Sequence, residues 1–370
     1  MTIRTCLPGM GALWVSALLV ACGGGGGSGS GSGSTSAPAA APPYTLTPST
    51  AQASFVAGWP TTIAMSAKQT VAFTGLVYVQ VSADAAVVES PIAVSTNGDG
   101  TFAIAAGSQD STYLFAFEAA SGTQDFAAQM ASQWEHYLAP TILGGLVYSD
   151  GGTYGGLYAF DTTTGANQFF AHAGQYDGWT PAVDADHAYA YIGGALCIFD
   201  NQTGALVGSI AEPTYSWNGY TTAGAPALGG ANTVYAGNLH DKSANSLVAF
   251  DTSSYTVRWS IHGAYSGNPA YADGVLFAAD SSPFALEAYN ETDGAKLWTW
   301  TPPSGNSSFV SDVLVTNNLV FVSTDANTFA IDRGTHLPVW SHAAAGSLAL
   351  SANGILYIKG SYGIVAINLR

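Results

Sequence analysis

Residue types that perform catalysis or bind metals occur in this sequence, but not at the spacing of a site. Zinc sites need ligands at short fixed spacings, and many serine hydrolases need a Gly-x-Ser-x-Gly turn. Neither pattern occurs beyond residue 43. Asn97-Gly98-Asp99-Gly100 lacks the downstream glutamate of a calcium loop, so we predict a hairpin turn there. The histidines are His136, His172, His187, His240, His262, His336 and His342.

Aromatic residues next to amides and carboxylates occur in several segments that we expect to connect repeated units. Such rings suit stacking on sugars or anchoring of a partner peptide. In the alternative interpretation, the rings seal the ends of sheets beside the core. The contrasting hypothesis is an enzyme, a hydrolase that uses loop carboxylates such as Glu135 and Asp177. The candidate binding residues are Trp134, His136, Tyr137, Tyr176, Trp179, Tyr215, Trp217 and Tyr220.

A unit of roughly 40 residues recurs from about residue 88 to the end, and it must position these segments. Its clearest part is a small residue, an apolar residue and then an acid or amide. A turn rich in Thr and Gly follows, as in Thr164-Gly165 and Thr203-Gly204. The acid or amide positions are Glu118, Asp161, Asp200, Asp251, Asn290, Asp332 and Asn368.

Each unit also contains alternating strand patterns upstream of its acid, for example Leu146-Val147-Tyr148. In five units a large aromatic residue lies ten positions after the small residue. Four short antiparallel strands in each unit, repeated radially, are typical of a propeller blade. We therefore predict an all-β fold, a β-propeller of seven or eight four-stranded blades over residues 88–370. The aromatic residues are Phe126, Phe169, Trp259, Trp298 and Trp340.

These motifs resemble the PQQ-type repeat, whose pattern is Ala-x-Asp-x-x-Thr-Gly-x-x-x-Trp. The resemblance implies that the five aromatic residues are structural and dock between neighbouring blades. The third unit has Gly208 at that position, so we expect a looser contact there. Quinone-dependent dehydrogenases with similar blades add a calcium-bound cofactor site and often a Cys-Cys pair, which this sequence lacks. We expect no cofactor, no metal and no catalytic residue.

The N-terminal sequence is typical of a signal peptide followed by a flexible tether. An apolar stretch of about 15 residues ends in Leu19-Val20-Ala21-Cys22, and it is short for a membrane span. This motif resembles the lipobox of bacterial lipoproteins, which implies cleavage before Cys22 and its lipidation. Residues 1–22 are then a signal peptide, and the Gly-, Ser- and Pro-rich residues 23–43 a flexible linker. Gly23 after the cysteine implies sorting to the outer membrane.

Residues 44–87 have two interpretations. The last unit stops after its third strand, and propellers of this kind usually close by borrowing a strand from the other end of the chain. Gly75-Leu76-Val77-Tyr78-Val79-Gln80-Val81 would suit that closing strand. Alternatively, residues 44–87 form a partial immunoglobulin-like module, although they are few for a full sandwich.

Composition excludes some partners. The formal net charge is −16, with 8 basic and 24 acidic residues, so the chain repels phosphate backbones and we expect no nucleic-acid partner. Cys197 lies in an apolar run and is predicted to be an inert core residue.

The sequence therefore favours a non-enzymatic, lipid-anchored scaffold or binding protein of the bacterial cell envelope. It is similar in plan to the propeller lipoproteins of the outer-membrane β-barrel assembly machine. We expect an outer-membrane anchor on the periplasmic side or at the cell surface, and a protein partner at a loop face. The alternatives are a carbohydrate-binding surface lipoprotein and a quinone-dependent oxidoreductase.

Overall fold

The computed structural model describes residues 93–94, 101–108, 111–118, 124–130, 140–150, 155–174, 179–215, 224–230, 232–238, 245–350, 355–360 and 363–369. The elements in these ranges are all strands, β1 to β27. Among them, no helix has the length and apolar character to cross a membrane. The prediction of an all-β fold is confirmed for the described residues.

The strands form seven antiparallel sheets, here called the first to the seventh sheet in chain order. The first contains β1 (Ala93–Val94), β2 (Thr101–Ser108), β3 (Ser111–Glu118) and β4 (Gln124–Met130). The second contains β5 (Thr141–Leu143), β6 (Leu146–Asp150), β7 (Gly156–Asp161) and β8 (Asn167–His172). The third contains β9 (Ala182–Val183), β10 (His187–Ile192), β11 (Ala195–Asp200) and β12 (Leu206–Ala211).

The fourth sheet contains β13 (Ala227–Leu228), β14 (Thr233–Asn238), β15 (Asn245–Asp251) and β16 (Thr256–Gly263). The fifth contains β17 (Tyr265–Ala272), β18 (Val275–Ser281), β19 (Phe284–Asn290) and β20 (Lys296–Trp300). The sixth contains β21 (Leu314–Val315), β22 (Leu319–Ser323), β23 (Thr328–Asp332) and β24 (Pro338–His342). The seventh contains β25 (Ser347–Leu350), β26 (Ile355–Gly360) and β27 (Gly363–Asn368).

The sheets are arranged radially. Within each sheet the strands pair in chain order, and the first strands of consecutive sheets contact each other from β1 in the first sheet to β25 in the seventh. The first strands therefore lie innermost around an axis, and the fourth strands lie outermost. This arrangement is a β-propeller, as predicted.

The two middle strands of each sheet are apolar because sheets cover both of their faces. In β11 the residues Ala195 to Phe199 are all buried, and only Asp200 at the end is partly accessible. The outer strand β20 is mostly exposed along Lys296 to Thr299. This difference explains why the middle strands read as continuous apolar runs in the sequence.

The acid of the repeat organises the turn between the third and fourth strands. In the second sheet, Oδ1 of Asp161 accepts the backbone N–H groups of Thr163 (3.0 Å) and Thr164 (2.8 Å) and the hydroxyl of Thr164 (2.8 Å). These bonds, led by the Thr164 hydroxyl, hold the pKa of Asp161 below its ordinary value. Gly165 ends the turn with φ +69°, which favours glycine. Asp200 makes the same three bonds in the third sheet.

The seventh sheet has three strands in the part of the chain that the structure describes, in the order β25-β26-β27. This agrees with a last unit that stops after its third strand. The segment Gly75–Val81 and the rest of residues 44–87 lie outside the described residues, so both interpretations of that segment stay predictions.

Candidate functional site

The two ends of the sheets carry different connections. At one end lie the turns between first and second strands and between third and fourth strands; we call this the turn face. At the other end lie the turns between second and third strands, together with the connections to the next sheet; we call this the connection face. The predicted binding residues lie in these inter-sheet connections.

A buried carboxylate fixes the connection between the second and third sheets. Asp150 ends β6 on the connection face and is 2% exposed. Its Oδ2 accepts the backbone N–H of Trp179 at 2.9 Å, and Trp179 also forms a parallel bridge with Gly224 of the next connection. The hydrogen bond compensates for burying the charge, so this connection is held rigidly rather than free to adapt.

The ring of Trp179 does not face a partner. It is 1% exposed and belongs to the core cluster that contains Tyr148, Ile192 and Phe199. The prediction that Trp179 is a binding residue is corrected, because its ring seals the space between the second and third sheets. Trp179 therefore fits the alternative interpretation, in which the loop aromatics seal the ends of sheets beside the core.

Tyr215 requires the same correction. It is buried beside Gly194, where an added Cβ would lie 2.1 Å from the tyrosine ring. Its backbone N–H bonds the carbonyl oxygen of Glu212 at 3.3 Å. The buried carboxylate of Glu212 accepts the hydroxyls of Tyr191 and Thr214. Tyr215 therefore packs over the turn between β10 and β11 instead of projecting from the face.

The remaining candidates lie outside the described residues, and so does the predicted lipidation site Cys22. For them the sequence interpretation stays a prediction. These candidates are Trp134, His136, Tyr137, Tyr176, Trp217 and Tyr220.

Tyr265, the first residue of β17, is another aromatic residue buried at the connection face. The side chain of Asn245 donates to the carbonyl oxygen of Tyr265 (2.8 Å) and accepts its N–H (2.7 Å). Burial raises the pKa of Tyr265 to about 12. Its hydroxyl bonds that of Tyr289 (2.9 Å), which in turn bonds the buried Glu287. The fourth and fifth sheets are thereby joined at the connection face.

Polar side chains link the inner segments of three sheets near the axis. The side-chain oxygen of Asn268 accepts the N–H of Ala225 (2.5 Å), and Oδ1 of Asp312 accepts the N–H of Asn268 (2.8 Å). Asp312 is exposed, yet surrounding protein desolvates its carboxylate and raises its pKa. The two hydrogen bonds join segments of the fourth, fifth and sixth sheets.

The connection at residues 301–313 has exposed residues on the connection face, although it contains none of the predicted aromatic binding residues. Phe309 is buried against Phe284, with ring centroids 4.6 Å apart, while its neighbour Val310 is 41% exposed. Asp325 accepts the N–H and hydroxyl of Ser307, and these bonds lower its pKa. The length of this connection was the only signal in the sequence, because its exposed residues are small, polar or aliphatic.

The aromatic residues assigned to blade docking share one local geometry. In each case the residue pairs directly across from the small residue of the repeat, for example Phe169 with Ala159. A register shift beside this pair leaves one extra residue just before the aromatic residue. Such a bulge re-aims a side chain. The spacing of ten residues in the sequence is this cross-strand pair, counted around the turn.

The rings then lie on the turn of the following sheet. An added Cβ on Gly165 would lie 2.4 Å from the Phe126 ring, and one on Gly204 would lie 2.5 Å from the Phe169 ring. Only glycine fits these positions without a shift. Trp259 lies in the same way against Gly294, and its Nε1 donates to the carbonyl oxygen of Glu291 at 2.9 Å.

The last two of these docking residues, Trp298 and Trp340, have different neighbours. Trp298 stacks on His336, with centroids 4.7 Å apart and the rings 18° from parallel. His336 occupies the turn position where the second, third and fifth sheets have glycine, and its φ is +61°. Trp340 is 5% exposed and lies in the core cluster with Leu369, which follows the last strand.

At the third junction, between the third and fourth sheets, the ring comes from the turn and the glycine from the fourth strand. Gly208 pairs across from Ile198, so the usual order of large and small residues is reversed. An added Cβ on Gly208 would lie 2.2 Å from the ring of Tyr255, which occupies the glycine position of the next turn. The expectation of a looser contact is corrected, because Tyr255 of the fourth sheet supplies the ring.

The described carboxylates give no sign of a metal centre. Across the described ranges, no group of three His, Cys, Asp or Glu side chains could hold a metal ion. Asp280, which is buried, accepts the N–H groups of Ala264 (3.1 Å) and Ser282 (2.9 Å), and Glu287 bonds Lys296 Nζ at 2.5 Å. These hydrogen bonds and the ion pair with Lys296 are typical of carboxylates with a structural role. Cys197 is completely buried.

Together these features define a β-propeller of PQQ-like repeats with connections bonded rigidly at one face. A family model described as "Outer membrane protein assembly factor BamB" (PQQ_2) matches residues 71–299 and 243–368. The chain belongs to this family. The crystal structure of BamB from Moraxella catarrhalis is similar, with a TM-score of 0.60 and 17% sequence identity over 76% of this chain and 84% of that chain. At this identity the likeness shows the fold. The search of curated proteins found no match.

Proposed function

We propose that this chain is a non-enzymatic propeller scaffold of the bacterial cell envelope that presents its connection face to a protein partner. The proposal rests mainly on the hydrogen bonds that hold the backbone of this face in place. Buried Asp150, Glu212 and Asn245 each fix an inter-sheet connection through hydrogen bonds. A surface whose backbone is fixed in advance loses little entropy on binding.

Family membership supports the cellular setting. The family model carries the description of an outer membrane assembly factor, and BamB from Moraxella catarrhalis shares the fold. We propose an outer-membrane location, with Cys22 lipidated and residues 23–43 serving as a tether. The side of the membrane that the propeller faces is left to the anchoring experiment below.

The alternatives have less support. A carbohydrate-binding role rested on exposed connection aromatics, and Trp179 and Tyr215 are buried. An oxidoreductase role would need a cofactor site. Buried carboxylates such as Asp280 are bonded to backbone N–H groups, which suits a structural role better than cofactor binding.

Site-specific photo-crosslinking in native envelopes tests the partner. A photoreactive phenylalanine at Val310 on the connection face should capture an outer-membrane protein, and the same protein should co-purify with wild type. A combined variant with Trp134→Ala, Trp217→Ala and Val310→Ser should lose it. The matched control is the photoreactive residue at Gln168, which is exposed on the outer strand β8. Equal capture from both positions, or none from either, would contradict the proposal.

Anchoring has its own test. The Cys22→Ala variant should leave the membrane fraction, whereas wild type should be extracted only by detergent. Protease added to intact cells should cleave a surface-facing propeller and spare a periplasmic one. Retention of the variant in the membrane would remove the lipid anchor from the proposal.

A further inference from the structure

Three buried side-chain oxygen atoms lie at the junction of the fourth and fifth sheets and make no hydrogen bond within the described part of the chain. They are Oγ1 of Thr233, the hydroxyl of Tyr235 and Oε1 of Glu291. Thr233 and Tyr235 are 2% and 0% exposed, so bulk solvent does not reach their hydroxyls. Buried polar atoms without a partner are costly and rare in folded proteins, and a group of them in one place calls for a shared partner.

These three atoms border one space on the turn face. Thr233 and Tyr235 are two residues apart on β14, so their side chains point to the same side of the fourth sheet, which packs on the fifth. An added Cβ on Gly230 would lie 2.9 Å from Oε1 of Glu291, and the carbonyl oxygen of Gly230 accepts the N–H of Thr233 at 2.9 Å. Burial and the nearby Glu291 carboxylate raise the pKa of Tyr235, so this carboxylate lies close to its ring.

The equivalent tyrosine of the second sheet has a direct partner. Tyr148 and Tyr235 are each the third residue of the second strand in their sheets. The hydroxyl of Tyr148 donates at 2.9 Å to the carbonyl oxygen of Asn201, which follows the acid of the repeat in the third sheet. The residue at that position in the fifth sheet is Glu291, which follows the amide of the repeat. The carbonyl oxygen of Glu291 is therefore the acceptor that we expect Tyr235 to use.

The indole of Trp259 occupies this acceptor instead. Its Nε1 donates to the carbonyl oxygen of Glu291 at 2.9 Å, whereas the docking residue of the second sheet, Phe169, has no N–H group. One carboxylate oxygen of Glu291 is also occupied, because Oε2 accepts the hydroxyl of Tyr271 at 2.9 Å. The hydroxyl of Tyr235 is left without a direct acceptor, and Oε1 of Glu291 is left without a donor.

A ligand at this place must accept hydrogen bonds from hydroxyls and donate one to a carboxylate. The ionised carboxylate of Glu291 can only accept, while the hydroxyls of Thr233 and Tyr235 each have a proton to donate. A water molecule meets both requirements, and a buried water typically makes about three hydrogen bonds. A calcium ion needs about six to eight oxygen ligands, more than these three side chains supply, and it would leave the hydroxyl protons unmatched.

We propose that one ordered water molecule is a structural ligand at the junction of the fourth and fifth sheets, bonded to Thr233, Tyr235 and Glu291. It accepts from the two hydroxyls and donates to the carboxylate, and so it completes a contact that Tyr148 makes directly in the second sheet. The site lies on the turn face, away from the connection face, and therefore does not depend on the proposed protein partner.

A high-resolution crystal structure tests the proposal. The wild-type protein should show one isolated density peak at about 2.7 to 3.2 Å from the three oxygen atoms. The double variant with Thr233→Val and Tyr235→Phe keeps the side-chain shapes, removes both hydroxyls and should lack the peak. Tyr148→Phe is the matched control and should retain the peak, because the Tyr148 hydroxyl bonds a carbonyl oxygen directly. The wild-type density alone decides the proposal if the double variant does not fold.

Magnetic relaxation dispersion of water measures long-lived buried waters in solution, and it should report one fewer in the double variant than in wild type or in Tyr148→Phe. Equal numbers would overturn the proposal, and so would a wild-type crystal structure in which the Tyr235 hydroxyl bonds Glu291 with no peak between them. Replacing sodium chloride with choline chloride at equal ionic strength should leave the melting temperature unchanged. A lower melting temperature in choline chloride would assign the site to a cation and overturn the assignment to water.

Discussion

The ring and the glycine exchange places at the third junction, between the third and fourth sheets. At the first, second and fourth junctions the ring comes from the fourth strand and the glycine from the next turn. Here Gly208 is on the strand and Tyr255, with φ +56°, is in the turn. A tyrosine in the left-handed region costs of order 1 kcal/mol or more, which the filled junction must offset.

A double-mutant cycle tests that exchange. Gly208→Trp alone should destabilise the protein by about 2 kcal/mol, because two rings then compete for one space. Adding Tyr255→Gly should restore stability to within about 1 kcal/mol of wild type, since it recreates the usual arrangement. Chemical denaturation measures both. Additive losses in the double variant would show that the two residues do not share the space.

Buried tyrosines make the fold sensitive to alkali. Burial raises the pKa of Tyr148 and of Tyr265 to about 12, against about 10 in an unfolded chain. The folded state therefore holds these protons more tightly. Its stability should be full below about pH 10 and should fall as the pH rises towards 12. Tyr265→Phe should make this fall shallower in denaturation curves recorded across that range. An unchanged slope would argue against this assignment.

At the scale of elements, the sequence predicted strands better than connections. A strand in this fold repeats the same environment in every sheet, so the pattern around Asp161 recurs at Asp200 and Asp251 with the same turn hydrogen bonds. Connections share no such environment. Whether a ring such as Trp179 is buried depends on which strand end it meets, here Asp150, and no local pattern reports that contact.

Arg333 joins two sheets through a fork of donors. Its guanidinium bonds the carbonyl oxygens of Ala272, Thr316 and Asn317 at 2.7 to 3.0 Å, and it lies 5.6 Å from the centre of the Phe277 ring. A lysine cannot reach all these acceptors from one position. Arg333 therefore adds several donors to the packing that already joins the fifth and sixth sheets.

Arg333→Lys should destabilise the protein by about 1 to 2 kcal/mol, because it leaves the part-buried carbonyl oxygens of Ala272 and Thr316 without donors. Arg258→Lys is the matched control. Arg258 bonds a single carboxylate, that of Asp251 at 2.8 Å, and a lysine can replace that contact. Denaturation midpoints of the two variants give the comparison. Equal losses would indicate that the fork geometry of Arg333 adds nothing to the charge.

At the scale of the whole molecule, local sequence patterns do not show how the circle of sheets closes. The seventh sheet has three strands among the described residues, with β27 at its edge. An uncovered edge exposes unpaired backbone groups and invites aggregation. The family match begins at residue 71, inside the segment 44–87, which favours a closing strand over a separate module.

Two truncations decide between these interpretations. A chain without residues 1–43 should melt like the full chain, because it loses only the leader and linker. A chain without residues 1–87 should melt more than about 5 °C lower and should aggregate, because Gly75–Val81 would no longer complete the seventh sheet. Thermal denaturation and light scattering measure both effects. If both truncated chains melt at the same temperature, residues 44–87 contribute nothing to propeller closure and the separate-module interpretation holds.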